Sequence, residues 1–456
     1  MKPPASPFVS PGHWSYQVLR RLDNAGRLPR GIDLARQSIP QEEIAALLAT
    51  ADSVAGTAYA AQFRHEFDAP KHGKLTALGY AVTAGFQWTK DQLAPGIGYD
   101  PPNWSGARAL DDESEELYGF RVGAALAPYL AIGADLTVDG DAQLIAAAGH
   151  LGAWVGRRPV GYATGASGGL VLNPHQLTGG GVFLTRPIWL PVLGGVRFEM
   201  HASKIDNVLN FNGSEHDIEP WFWTARGSFE PFGILRIGIN RGMMFGGEGN
   251  TPVTFERIIN NVVGFYAEEG ESNFANQIIS IDFRARVPGM PVTAYFDWGS
   301  DDAAGGWWDV PAILAGLEFT HVDSTFDVAV GAEHTQFARN CCSNGIWYRN
   351  AWFRGSWADG EDFLGHPLGG HGREWRLFAN GSVQGGRFNG RAAIYSRRRR
   401  EENVLAPEWQ GTSTGFQLGA DAGITPTIRI IVGGELESGA DDWTASRLSV
   451  ALRSSF

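Results

Sequence analysis

The apolar residues of the chain follow two different periods. Over the first 70 residues they recur at helical spacing. Val18, Leu19 and Leu22 share one face of a segment from Tyr16 to about Ala25, with Ser15 placed to cap it and Gly26 where a helix would end. Ile44, Leu47 and Leu48 repeat in a second segment that Ser38 and Pro40 open and that begins at Gln41, and Ala-rich sequence to about Phe67 predicts a third helical piece. Few of these residues are large and apolar, so the pattern predicts a small helical cap without a core of its own.

From Leu75 the period becomes two. Ile279, Ile281, Phe283 and Ala285 alternate with Ser280, Asp282, Arg284 and Arg286. Phe326, Val328, Val330 and Ala332 alternate with Asp327, Ala329, Gly331 and Glu333. The same rhythm runs through 235–240, 313–320 and 428–433. Tight breaks fall at Ala127-Pro128, Pro191-Val192, Pro231-Phe232-Gly233, Pro288-Gly289, Val322-Asp323, Gly385-Gly386 and Thr425-Pro426. Between them lie longer polar stretches, about 91–115, 159–178, 204–218, 244–272, 300–310, 337–372 and 398–410. Short and long connections therefore alternate, as periplasmic turns and extracellular loops do in an outer-membrane barrel. With that phase the chain counts out to about 18 antiparallel strands. The last alternates Leu448, Val450 and Leu452 with Ser449, Ala451 and Arg453 and stops at Phe456, an ending similar to the signal read by the barrel-insertion machinery.

A soluble β-sandwich alternates in the same way. The polar set argues for the barrel: Arg197, Glu199, Arg236, Asp282, Arg284, Glu318, Asp327, Glu333, Arg376 and Arg429 carry both signs, which suits a lumen crossed by ion pairs. The reading is thus an all-β transmembrane barrel over 71–456 with a periplasmic helical segment over 1–70. At 456 residues the chain has the length of about three soluble domains. Its 60 glycines and 16 tryptophans instead suit one large sheet with aromatic girdles at two interfaces. No run of 18 apolar residues is present, so helical membrane spans are not expected. A net charge of −12 argues against a nucleic-acid partner but allows an acidic ligand on a local arginine patch. Met1-Lys2-Pro3-Pro4 lacks the apolar core of a secretory signal, so a leader removed before this residue is the expectation. The adjacent Cys341 and Cys342 fit either a vicinal disulfide or two thiols.

Several segments resemble reactive motifs. Gly165-Ala166-Ser167-Gly168-Gly169 matches G-x-S-x-G, but lacks the strand–turn–helix setting of a nucleophile elbow and reads as a loop. His366 and His371 meet no zinc spacing, so no metal or cofactor is expected. Asp111-Asp112-Glu113-Ser114-Glu115-Glu116 lacks the pattern of a calcium loop and reads as a solvated charge run. No nucleophile–base pair stands out, so the chain is not expected to be an enzyme. Two features point to a ligand instead. Trp307, Trp308, Trp347, Tyr348, Trp352, Phe353 and Trp357 crowd the outer loops, where rings can stack on sugar faces. Arg398, Arg399 and Arg400, in the run from Arg397 to Arg400, sit where a strand leaves the membrane and can clamp acidic sugars or lipopolysaccharide phosphate. An aromatic girdle, and a loop base paired with its own glutamates, are the plainer readings of the same residues.

Taken in order, several stretches resemble the Wzi-type capsule-assembly family of outer-membrane proteins. These are Tyr16-Gln17-Val18-Leu19-Arg20-Arg21-Leu22-Asp23-Asn24-Ala25-Gly26, the later Ile39-Pro40, Gly156-Arg157-Arg158-Pro159-Val160-Gly161-Tyr162 leading to Leu170-Val171-Leu172-Asn173-Pro174, Asn240 through Gly249, and Gly365-His366-Pro367-Leu368-Gly369-Gly370-His371. The resemblance implies an eighteen-stranded barrel with an N-terminal helical bundle on the periplasmic side. It also implies a lectin-like role holding capsular or extracellular polysaccharide at the surface. Expected partners are that polysaccharide, outer-membrane lipid and lipopolysaccharide, and the insertion machinery; a monomer is expected. A porin-like channel is the rival reading, since about 18 strands also suffices for an open pore.

Overall fold

Antiparallel pairing runs unbroken round the molecule and returns to its first strand. In the computed structural model, which describes residues 5–51, 54–67, 76–90, 114–127, 129–137, 141–205, 219–248, 250–263, 275–301, 311–337, 347–350, 355–360, 362–405, 409–440 and 443–455, eighteen strands form the wall. They are β1 (Thr76–Lys90), β2 (Ser114–Ala127), β3 (Leu130–Thr137), β4 (Asp141–Ala148), β5 (Leu151–Tyr162) and β6 (His175–Leu184). Then come β7 (Gly194–Lys204), β8 (Trp221–Phe232), β9 (Leu235–Phe245), β10 (Ala275–Arg286), β11 (Val292–Asp301) and β12 (Pro311–Val322). Last are β13 (Phe326–Phe337), β14 (Gly372–Val383), β15 (Phe388–Arg399), β16 (Gly411–Gly423), β17 (Ile428–Gly439) and β18 (Thr444–Ser455). Each pairs with its neighbours in sequence, and β18 closes on β1 with Ala451 opposite Gly85 and Val450 opposite Phe86. Closure removes the exposed edges, the condition for a sheet to stand in a bilayer. The strand number, the alternating connections and the five alternating stretches all agree with the sequence reading. Phe456 lies outside the described residues.

The two faces of the wall are inverted relative to a soluble protein. On β18, Leu448, Val450 and Leu452 are 49%, 44% and 48% exposed, while Arg447, Ser449 and Arg453 between them are buried. The same holds for Leu317 and Phe319 on β12 and for Ile394 on β15, which face outward beside a buried Glu318 and Tyr395. An apolar outer belt around a charged interior is what a lipid surround selects. Among the described residues no helix is long and apolar enough to cross a membrane.

Inside, the N-terminal segment forms α1 (Trp14–Asn24), α2 (Gln41–Thr50) and α3 (Val54–Phe67). Three local details differ from the sequence reading. α1 is capped by His13, whose ring accepts the Ser15 N–H, and not by Ser15. Ser38 does not cap α2; it adopts φ 66 and donates its hydroxyl to the Pro159 carbonyl of the wall. The segment also has a core after all. Val18, Leu19, Leu22, Ile44, Leu48, Tyr59 and Phe63 are buried together, because three short helices folded onto one another share a centre that none has alone. Gly26 ends α1 at φ +69, with its Cα against the Arg286 guanidinium, a place a Cβ would fill.

The long loops go opposite ways, one outward and two inward. The connection after β9 carries α4 (Phe255–Val263), and its Ile258 packs on Trp223, Met243, Phe245 and Ala275. Those residues alternate with the lumen-facing Thr224, Gly242 and Asn276, so α4 lies against the outside of the wall. The 162–175 segment and the described residues of 347–371 turn inward.

Candidate functional site

The lumen is filled from both ends. From the short-turn end, α1 meets the wall through the polar face that its helical periodicity leaves opposite Val18, Leu19 and Leu22. Arg20 Nε bonds Glu318 at 3.2 Å, Arg21 Nε lies 3.0 Å from Asp327, Asp23 accepts from Arg236 at 3.2 Å, and Asn24 Nδ2 donates to Thr320 at 3.1 Å. On α3, Glu66 is buried and receives Trp14 Nε1 at 2.8 Å, His13 at 3.0 Å, Arg429 at 3.1 Å and also Arg453. Burial opposes ionisation of Glu66, but Arg429 and Arg453 outweigh it and hold the carboxyl well below the usual carboxylate range. Deeper in, Asp33 accepts two bonds from Arg226 of β8, at 2.6 and 2.9 Å. The same guanidinium binds Asp282 of β10 at 2.6 Å. Here too the arginine overrides burial and keeps Asp33 ionised.

From the loop end, the 162–175 loop places Leu170, Val171 and Leu172 in the lumen with essentially no exposure. Trp347, Tyr348, Trp357, Phe363, Leu364 and Leu368 pack over them. Polar bonds fix the two loops together. Trp357 Nε1 donates to the Val171 carbonyl at 3.0 Å, Tyr348 Oη to the Leu170 carbonyl at 2.6 Å, and the Asn173 N–H to the Leu364 carbonyl at 2.9 Å. Gly242 on β9 lets the Trp357 ring approach the wall; a Cβ there would sit 2.6 Å from the ring. The two plugs touch: Arg20 donates to the Gly165 carbonyl at 2.9 Å and the Ala163 N–H to the Ala35 carbonyl at 2.7 Å. Between plug and wall remains a chamber of about 230 Å³ lined by Tyr16, Gln17, Arg20, Arg376, Asn380 and Gln417.

The G-x-S-x-G segment is the loop the sequence indicated, and it is pinned hard. Glu333 of β13 accepts the Ala166 and Ser167 N–H groups at 2.6 and 3.0 Å, the Ser167 hydroxyl, and Tyr295 Oη at 2.9 Å. Ser167 Oγ also lies 2.9 Å from His366 Nε2. The pair has the wrong polarity for a nucleophile and its base. His366 Nδ1 accepts the Leu368 N–H at 3.1 Å, so the ring proton sits on Nε2 and donates to the serine. Burial pushes the His366 imidazole down to about 3, which keeps it neutral. The sign gives a pH dependence. The folded plug resists protonation while the unfolded loop does not, so plug stability is complete above the ordinary histidine range and falls as pH drops towards about 3. Amide protection factors among the described residues of 347–371, taken relative to the intrinsic exchange rate at each pH, should therefore fall between pH 7 and 5, by up to about 1.4 kcal/mol per pH unit once below the ordinary value. His366→Gln should flatten that dependence; an unchanged slope would assign it to another group.

The predicted ligand residues separate into three groups. Trp347, Tyr348 and Trp357 are wholly buried, with Trp347 and Tyr348 edge-on to Phe337 or each other and Trp357 edge-on to Phe222 at 5.0 Å, so protein already covers their faces. Their hydrophobicity drew them inward, and the loop bends over the lumen to let it. Arg399 turns inward with Arg397, and both bind Glu437, at 3.0 and 2.8 Å. Arg398 and Arg400 are exposed on the other face. Alternation along β15 alone decides this split, so a run of four arginines is not one patch. Trp307, Trp308, Trp352, Phe353, Cys341, Cys342 and Asp111–Glu113 lie outside the described residues. Among the described residues, no three His, Cys, Asp or Glu side chains converge as metal ligands. Glu66, Asp33, Arg226 and Glu333 were not singled out as plug anchors beforehand. Their partners lie up to 387 residues away, and only Glu333 and its like showed as charged members of an alternating strand.

A family model described as capsule assembly protein Wzi matches residues 184–440. No curated protein matches the chain. Among solved structures, the chain is similar to Escherichia coli Wzi, an outer-membrane protein involved in group 1 capsule assembly and a carbohydrate-binding β-barrel. Identity is 17% and the TM-score 0.76, covering 98% of this chain and 99% of that one. Pseudomonas aeruginosa OccK11 (OpdR) is 10% identical at a TM-score of 0.50, covering 84% and 96%.

Proposed function

The chain belongs to the capsule assembly protein Wzi family, and from that premise we propose that it is a lectin-like outer-membrane barrel that binds capsular or extracellular polysaccharide and helps attach it at the cell surface. The observation that carries the reading is the double plug. A barrel whose lumen is occupied by α1–α3 at one end and by Leu170–Leu172 with Trp347, Tyr348, Trp357 and Leu364 at the other serves as a platform, and its loop end is the face that meets extracellular polymer. The buried Trp347, Tyr348 and Trp357 stiffen that platform. Trp307, Trp308 and Trp352 are the rings assigned to sugar stacking, with Arg400 at the rim for acidic units. The chain's net charge of −12 makes a local cation necessary for any anionic polymer. The polarity of Ser167 and His366 supports a binding role without catalysis. Outer-membrane lipid, the insertion machinery during assembly and a monomeric state complete the proposal.

The test is glycan binding by the purified protein to its host's polysaccharide. Trp307→Ala combined with Trp308→Ala should weaken it at least tenfold, at roughly 1–1.5 kcal/mol for each lost stacking contact. Absence of binding by the wild-type protein would sink the reading. A large, stable single-channel conductance would favour a porin instead.

A further inference from the structure

The exposed arginines at the loop end of β13–β15 lie on the outside of the barrel, not over its lumen. In the paired register Gln336 stands opposite Arg373, and Arg373 opposite Arg398. All three belong to the outward set, because Thr335, Glu374 and Arg397 between or beside them are buried inside. With Arg400, and with Phe337 and Gly372 of the inward set at its back, they line a cleft of about 290 Å³ at the rim of the wall. No carboxylate among the described residues pairs with Arg373 or Arg398. The neighbouring acids are turned away: Glu374 holds Arg376 and Arg397 on the lumen side, and Glu437 holds Arg397 and Arg399.

The layers below this cleft give its height. One step down the strands, His334, Trp375 and Ser396 lie opposite one another, and the His334 and Trp375 rings stack at 4.1 Å. The next step is Ala332, Leu377, Ile394 and Phe416, with the last three exposed to the surround. From Arg373 to Leu377 is about 13 Å along the strand at ~3.3 Å per residue. At the roughly 40° tilt of such barrels that is about 10 Å along the membrane normal. The order is guanidinium, aromatic ring, then aliphatic side chain, which matches the order phosphate, headgroup sugar, acyl chain in a membrane leaflet.

We propose that this outward cleft binds a phosphorylated glycolipid of the outer leaflet, with Arg373 and Arg398 gripping the phosphate and Trp375 lying against the sugar or upper acyl region. Arg373 and Arg398 stand opposite one another on adjacent strands, and two guanidinium forks at paired positions can share one tetrahedral anion, a fit that lysine would not provide. The wall beneath, continuous with the lipid-facing belt, favours a lipid source of phosphate over a soluble one. Arg400 is shared with the polysaccharide reading, so Arg373 and Arg398, which that reading does not use, test the lipid site by themselves.

The experiment uses the full chain in nanodiscs, with purified bisphosphorylated lipid A and its dephosphorylated form as probes and native mass spectrometry as readout. One lipid A should remain bound where annular lipids are stripped. The dephosphorylated form should bind roughly tenfold more weakly, as should lipid A to Arg373→Gln combined with Arg398→Gln. Millimolar inorganic phosphate should not compete. Both positions are on the surface, so the barrel should fold; Trp375→Ala, which keeps both arginines, gives a second variant with an expected smaller loss. Equal retention of the two lipid forms, equal retention by the double variant, or displacement by inorganic phosphate would each overturn the proposal. So would a double variant that loses polysaccharide while keeping lipid A.

Discussion

Arg226→Met should free the N-terminal plug while the barrel stays closed. Arg226 is buried and is shared between Asp33 of the N-terminal segment and Asp282 of β10, with Asn240 on its third side. Removing it leaves two carboxylates buried without their counter-ion, and breaking such a pair from one side costs roughly 3–5 kcal/mol. The wall loses the Arg226–Asp282 pair as well but stays closed, because every strand is held on both sides by backbone bonds. Limited trypsin digestion should cut in the 20–36 region of the variant and leave the wild type intact, with heat-modifiable migration of the barrel unchanged. Arg226→Met with Asp33→Asn should recover part of the protection, since one stranded charge is then gone. Equal protection of Arg226→Met and wild type would show that the apolar contacts of α1–α3 alone seat the plug.

Trp357→Ala should loosen the upper plug. The ring is fully buried, edge-on to Phe222, bonded through Nε1 to the Val171 carbonyl and seated on Gly242. Truncating a buried tryptophan costs about 3–5 kcal/mol from lost burial and the cavity left behind. That cost falls on two loops bonded to each other through Leu170, Val171 and Asn173. Amide exchange should rise by orders of magnitude in 170–173 and 347–368 and stay unchanged in β14–β18. Polysaccharide binding should weaken with it, since the platform under the outer loops becomes mobile. Conductance should stay low because α1–α3 still block the other end, and should appear when Trp357→Ala and Arg226→Met are combined. A combined variant that remains electrically silent would place the seal elsewhere in the lumen.

Much of the wall was written in the sequence. A period of two with apolar residues on one side, interrupted by alternately short and long polar stretches, specifies strand number, direction and the face of each residue, because each strand repeats the same local demand. The helices were legible for the same reason, from Val18, Leu19 and Leu22 and from Ile44, Leu47 and Leu48. The lumenal charges were legible as a class: Arg236, Asp282, Glu318, Glu333 and Arg429 all face inward.

Their partners were not. Arg226 with Asp33, Arg429 with Glu66 and Ser167 with Glu333 join residues separated by 193, 363 and 166 positions. Charge complementarity has no period, so nothing local announces which carboxylate an arginine will meet. The loop tryptophans show the same limit. Composition marked Trp347 and Trp357 as aromatic, but whether a ring faces solvent or fills a lumen depends on how its loop bends after leaving the wall. Likewise Arg397 to Arg400 read as one cluster until strand alternation sent Arg397 and Arg399 to Glu437 and left Arg398 outside. The barrel follows from local pattern alone, since a barrel is one pattern repeated. That the lumen is stoppered, and which side chains remain for a ligand, depends on contacts between segments far apart in the chain and emerges with the folded molecule.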